Sequence, residues 1–322
     1  MTELARPDFS KLPWLKLDFM EERFLNDTGT RLHFAQSREQ LFNSLPTIVF
    51  FHGVLRDWRS FYPLLIGLRG NANLVSIDFR GHGKSAATSS EYLVTNYVDD
   101  AVRLVNSLQH QVLLYGHSLG AMVALATAAR IPERIKATIL EDPPFATMGR
   151  RLNGTPLMSY FQSVENVVQS ELTSAASRFD TTNSEARIQR LFEAFSNISV
   201  GIDANGNIIR VRDQRDIISR RFSAESLARI DPELLAPITA GRWLDGYELD
   251  SLLSSIKSKI VLLRADTVCG GMLTSNEADH VVRGLDGLCE EMYFPGVGHS
   301  MHWSKPKELT DQVLNQFSAN QS

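Results

Sequence analysis

The chain has 322 residues, a formal net charge of −4 and 43% hydrophobic residues, the composition of an ordinary soluble globular protein. The slightly acidic balance sets nucleic acid aside as the main partner, and no stretch approaches the roughly 20 apolar residues of a membrane span. Its two cysteines, Cys269 and Cys289, have neither metal-ligand nor redox spacing and read as small buried hydrophobes. The opening MTELARPDFSKLPWLKLDF has no apolar h-region, so a cytoplasmic location is expected and the sequons at Asn26, Asn153 and Asn197 read as chance. In chain order, EERFLND and TRLHFAQ suggest an antiparallel pair. TIVFFHG (47–53) is a continuous apolar run ending in glycine, as a buried parallel strand should be. NLVSIDFRGHG (73–83) repeats that form. Tyr97, Ala101, Leu104, Val105 and Leu108 then recur at helical spacing, with Thr95 placed as N-cap. QVLLYGHSLG (111–120) reads as strand then turn, AMVALATAARIPE as a helix stopped at Pro132, and KATILEDPP (136–144) as the next strand.

The alternation breaks at Pro143-Pro144. From about 145 to 250 the pattern is helical, with no convincing strand. Thr155-Pro156 provides an N-cap followed by proline at the first helical position, ahead of a stripe of Leu157, Phe161, Val164 and Val168. Ile188, Leu191, Phe192 and Phe195 form a second stripe. IDANGN (202–207) reads as a turn, and the doublets Arg150-Arg151 and Arg220-Arg221 as solvated faces. Strand and helix then alternate again through KIVLLRAD (259–266), NEADHVVRGL, CEEMYFPGVGH (289–299) and ELTDQVLNQF. This predicts an α/β fold with a mostly parallel sheet of about eight strands and helices on both faces. The core would comprise residues 1–142 and 251–322, with a helical insertion over 143–250.

Gly116-His117-Ser118-Leu119-Gly120 lies between a predicted strand and a predicted helix. A serine on so sharp a turn projects at the C-terminal end of the sheet. Glycines flank it because neighbouring side chains would clash there. A hydroxyl needs an adjacent base, and His299, after the last strand, is suited by type and by chain order. His302 follows at i+3, but no third ligand has metal spacing, so no metal is expected. Gly83-Lys84-Ser85 lacks the leading glycine of a phosphate loop, and no dinucleotide fingerprint occurs, so no cofactor is expected.

With these motifs the chain resembles the α/β-hydrolase superfamily over nearly its whole length. His52-Gly53 closes the strand two before the elbow strand. Asp78-Phe79-Arg80-Gly81-His82-Gly83-Lys84-Ser85 is similar to the family's D-x-R-G-x-G-x-S loop. Gly296-Val297-Gly298-His299 stands where the family places its histidine. The resemblance implies Ser118 as nucleophile, His299 as base and the amides of Val54 and Leu119 as oxyanion hole. It implies that 143–250 is a cap. Most members place the acid a few residues past the strand after the cap, where only the early Asp266 stands here. Others place it at the end of the strand before the cap, where Asp142 stands. Asp142 is preferred because the Gly270-Gly271 loop carries no acid, with Asp266 as the alternative.

The resulting expectation is hydrolysis of a carboxylic ester or lactone of a small, largely apolar substrate. Trp58, Phe145 and Trp243 are candidates for the pocket lining. The same apparatus serves C–C bond hydrolases, thioesterases and amidases, and some members of the fold are ligand receptors. Oligomeric state is not encoded in any motif.

Overall fold

The protein is described from a computed structural model covering residues 17–25, 27, 29–38, 45–145, 148, 152, 154–173, 184–203 and 205–318. The Arg150-Arg151 doublet and the sequons at Asn26 and Asn153 lie outside these residues. Eight strands form one sheet. They are β1 (Met20–Phe24), β2 (His33–Ser37), β3 (Thr47–Phe51), β4 (Asn73–Asp78), β5 (Val112–His117), β6 (Ile135–Glu141), β9 (Lys259–Ala265) and β10 (Cys289–Phe294), in spatial order β1-β2-β4-β3-β5-β6-β9-β10. The pairs β1/β2 and β2/β4 are antiparallel and all others parallel.

The continuous apolar runs follow from burial on both faces. Along β3, Val49 and Phe51 join one hydrophobic cluster and Ile48 and Phe50 the other. β5 repeats this with Leu114 against Leu113 and Tyr115. Each such fully buried side chain contributes about 1.5–3 kcal/mol. One face is covered by α2 (Val94–Ser107) and α3 (Leu119–Arg130), the other by α1 (Tyr62–Leu68). Every residue of α3 from Leu119 to Ala128 is buried, because this helix is apolar all round and lies within the core. Thr95 does not cap α2. The helix starts at Val94, and the Asn96 side chain accepts the Leu93 amide at 2.9 Å.

Between β6 and β9 lie α4 (Pro156–Thr173), α5 (Glu185–Ser196), α6 (Val211–Gln214), α7 (Ile217–Leu227), α8 (Ala236–Thr239) and α9 (Leu249–Ser255). They are joined by a hairpin the sequence pattern does not predict, β7 (Ser199–Ile202) with β8 (Ile208–Arg210). At its tip the Asp203 amide donates to the Asn207 carbonyl at 2.9 Å. Strands of four and three residues are too short for alternation to register. The Arg220-Arg221 doublet is no solvated face either: Arg221 is buried between Glu185 and Glu225. After β9, α10 (Ser275–Gly284) packs against β10 and α9, while α11 (Met301–Ser304) and α12 (Pro306–Ser318) join α1. Cys269 is exposed, contrary to expectation, and Cys289 half-buried. No helix among the described residues is long and apolar enough to cross a membrane.

Candidate active site

The central strands β3, β5, β6 and β9 all end at one edge of the sheet, so the loops that follow them converge there. Ser118 follows β5 with φ 56° and ψ −118°, a conformation that L side chains rarely adopt. Its amide donates to the Glu141 carbonyl at 2.9 Å, tying the turn to β6. The two glycines of the motif are sterically required. A Cβ on Gly116 would lie 2.1 Å from the Gly120 carbonyl oxygen, and one on Gly120 would lie 1.7 Å from the Phe51 carbonyl oxygen. The strained serine is thus held by backbone packed too closely for side chains.

The loop after β3 is held by two buried histidines. His52 Nδ1 bonds the Gly53 carbonyl at 2.8 Å, and its Nε2 accepts the Phe79 amide at 3.1 Å. His82 Nδ1 bonds the Arg80 carbonyl at 3.0 Å, and its Nε2 accepts the Leu55 amide at 3.3 Å. Each ring therefore needs one donor and one acceptor nitrogen, the neutral form. Burial pulls His52 down to about 4 and His82 to about 3, the latter helped by the neighbouring His52. Val54 is thereby fixed beside Ser118, on the wall of the same cavity. Leu119 has a fully buried side chain and opens α3, where a helix's first amides lack intrahelical acceptors.

His299 comes from the loop after β10. Its Nδ1 lies 2.6 Å from Asp142 Oδ2. Asp142 is fully buried just past β6 and accepts the amides of Met272 at 2.7 Å, Leu273 at 3.1 Å and Ala265 at 3.4 Å. Its φ of 45° turns the carboxylate toward His299. Asp266 is directed elsewhere. It caps the turn Thr267–Cys269 through the Val268 amide at 3.0 Å and accepts the Gly296 amide at 2.9 Å. Those backbone bonds hold its carboxyl below the usual carboxylate range.

Glu141, adjacent to Asp142, points to the opposite side of β6. It accepts the Tyr115 hydroxyl at 2.7 Å and contacts His302 Nδ1 at 2.8 Å and 2.9 Å. Glu141 is thus the third metal-type residue that chain spacing does not reveal. With His117 and His302 its ligand atoms lie within 4.8 Å. Both its carboxylate oxygens are already engaged by protein donors, and His117 Nε2 bonds the His299 carbonyl at 3.0 Å. The cluster reads as the floor beneath the His299 loop. Burial, then the neighbouring His299 and His302, hold His117 well below the ordinary imidazole range.

Ser118 and His299 open on a cavity of roughly 1480 Å³ whose far wall is built from α4 and α7. Trp243, Phe161 and Phe222 line it. Trp58 and Phe145, expected as lining, do not. The Trp58 amide donates to Asp78 at 2.8 Å, and the indole is buried on the α1 face of the sheet with Phe50 and Phe61. Phe145 is buried in the cluster that contains Leu140. Two cations that the sequence reading overlooks, Arg56 and Arg215, stand in the wall instead. The available signal is the place of Arg56, three residues past His52-Gly53.

A sequence profile of the alpha/beta hydrolase family matches residues 48–312. The chain belongs to the α/β hydrolase family. It is 34% identical over 98 residues to 2-(acetamidomethylene)succinate hydrolase of Mesorhizobium japonicum, a match covering 30% of this chain and 35% of that protein. It therefore spans only about a third of that relative's length. It is 26% identical to human serine hydrolase-like protein 2 over 212 residues, 59% of this chain and 67% of that one. The enol-lactonase from Burkholderia xenovorans superposes with a TM-score of 0.65 at 17% identity, over 92% of this chain and 100% of the other. Such identity establishes a shared fold. The relatives named here are hydrolases or hydrolase-like.

Proposed function

We propose that the chain is a serine hydrolase that cleaves a carboxylic ester or lactone through an acyl-enzyme. The observation that carries this reading is the 2.6 Å contact between His299 Nδ1 and a buried, amide-bound Asp142, beside a serine held in a strained turn on the same cavity. With its Nδ1–H donating a hydrogen bond to Asp142, His299 keeps Nε2 as the base. It takes the Ser118 proton as the hydroxyl attacks, returns it to the leaving alcohol, and then activates water for deacylation. The amides of Val54 and Leu119 stabilise the oxyanion. Residues 143–250 act as a cap, since α4, α7 and Trp243 close the cavity over Ser118.

The names of the relatives, a 2-(acetamidomethylene)succinate hydrolase and an enol-lactonase, agree with a hydrolytic reaction. The direct test is fluorophosphonate labelling read by intact mass. One adduct on the parent and none on Ser118→Ala is expected. A folded parent that takes up neither the probe nor a small acyl ester would overturn the reading in favour of a binding protein.

A further inference from the structure

Arg56 and Arg215 reach the wall of the cavity from different segments of the chain. Arg56 lies in the loop after β3, two residues beyond Val54, and Arg215 in the link between α6 and α7. Arg56 donates to Ser223 Oγ at 2.6 Å and lies 5.7 Å from the Phe222 ring centre. Arg215 lies 5.7 Å and 5.9 Å from the ring centres of Phe195 and Tyr160. Among the described residues no carboxylate forms an ion pair with either. Three other arginines of these segments are neutralised. Arg59 bonds Asp57 and Glu225, Arg221 bonds Glu185 and Glu225, and Arg229 approaches Asp57.

The pattern is selective, because the acidic groups nearby are already engaged. Asp57 is committed to Arg59. Asp216, on the cavity rim, accepts the amides of Ile218 and Ser219 at 2.9 Å as the cap of α7. Burial and the charge of Arg215 pull Arg56 down to about 10, which leaves it a cation at neutral pH. Two like charges facing one enclosed volume repel, and rings and a hydroxyl offset little of that cost. An anion between them would remove it, and a guanidinium fork matches a carboxylate.

We infer that Arg56 and Arg215 form a carboxylate-binding subsite, so that the substrate cleaved at Ser118 carries a second, anionic acid group. This rests on the hydrolase reading and narrows it to acid monoesters or carboxylate-bearing lactones. In this reading Trp243, Phe161 and Phe222 hold the apolar chain of the molecule, and the arginines hold its charged end.

The test pairs 4-nitrophenyl hydrogen glutarate with its neutral methyl ester, and glutarate with dimethyl glutarate. In the parent, kcat/KM for the acid should exceed that for the neutral ester by about tenfold or more. The ratio should collapse toward one in Arg56→Gln and recover in part in Arg56→Lys. A folding defect lowers both rates and leaves the ratio alone. Calorimetry on Ser118→Ala should show glutarate binding that disappears on adding Arg56→Gln, and no binding of the diester. Turnover with a ratio near one, or a ratio unchanged in Arg56→Gln, overturns the subsite and leaves the hydrolase. Arg56-dependent glutarate binding without any turnover overturns the hydrolase and leaves the subsite.

Discussion

Asp142 and Asp266 follow adjacent parallel strands, and both carboxylates accept backbone amides, so hydrogen bonding to the main chain does not separate them. What separates them is the fourth donor of Asp142, His299 Nδ1. The bonds of Asp266 instead hold the loop from which His299 projects: it accepts the Gly296 amide, and its own amide donates to the Val297 carbonyl at 2.8 Å. Its role is thus to position the histidine from a distance. Asn at 142 keeps the shape but offers His299 a mixed donor and acceptor, which allows the wrong tautomer. Asp142→Asn should therefore lower kcat by about 10³–10⁴. Asp266→Asn, which retains an acceptor for the Gly296 amide, should keep turnover near the parent's. Steady-state kinetics on both variants checks this, and the opposite ranking would make Asp266 the acid.

At the scale of elements, the segments between β6 and β9 are joined to the sheet and its flanking helices by buried polar bonds as well as by apolar packing. Asp57, in the loop after β3, bonds Arg59 at 2.7 Å, and Arg59 reaches Glu225 of α7 at 3.1 Å. Ser226 also donates to Asp57, at 3.4 Å. The Tyr247 hydroxyl donates to the Met122 carbonyl of α3 at 2.9 Å, and the Asp231 amide to the Gly81 carbonyl at 2.8 Å. The guanidinium of Arg59 holds Asp57 far below the usual carboxylate range despite burial. Removing the charge leaves two arginines facing a neutral amide in a dry interface. Truncating a buried ion pair costs about 3–5 kcal/mol, so Asp57→Asn should lose about 3 kcal/mol of unfolding free energy in urea. A loss below about 0.5 kcal/mol, the size of an ordinary surface change, would mean that the pair is solvent-screened and does not secure α7 to the loop after β3.

For the whole molecule, the sheet was legible because β3, β4, β5, β6 and β9 are buried on both faces and therefore read as unbroken apolar runs. The elbow at Ser118 was legible because a strained turn between strand and helix admits few residues around it, and His299 was a candidate by type and chain order alone. Arg56 and Arg215 were not, since an arginine in a loop reads as solvated and only the closed fold brings these two to one cavity. Trp58 misled because the strand end that places it near the site turns its indole to the other face. The burial of His52 and His82 extends to global stability. Unfolded imidazoles bind protons near pH 6.5, whereas these bind only near 4 and 3 in the folded protein. Between those values the unfolded chain holds more protons, so stability falls as pH drops below about 6.5. From pH 7 to 5 the pair should cost about 4 kcal/mol, with His117 acting in the same direction. Asp57 adds nothing in this window, because a depressed carboxylate loses its contribution only below its unfolded value near 4. Urea unfolding at the two pH values reads the total, and His82→Gln separates its source. Gln has no proton to gain here, so the variant's stability should fall by about 2 kcal/mol less than the parent's over the same range, whatever its stability at pH 7. An unaltered pH slope in His82→Gln would assign the acid sensitivity to other groups and would mean that the ring at 82 can be protonated without unfolding the loop it holds.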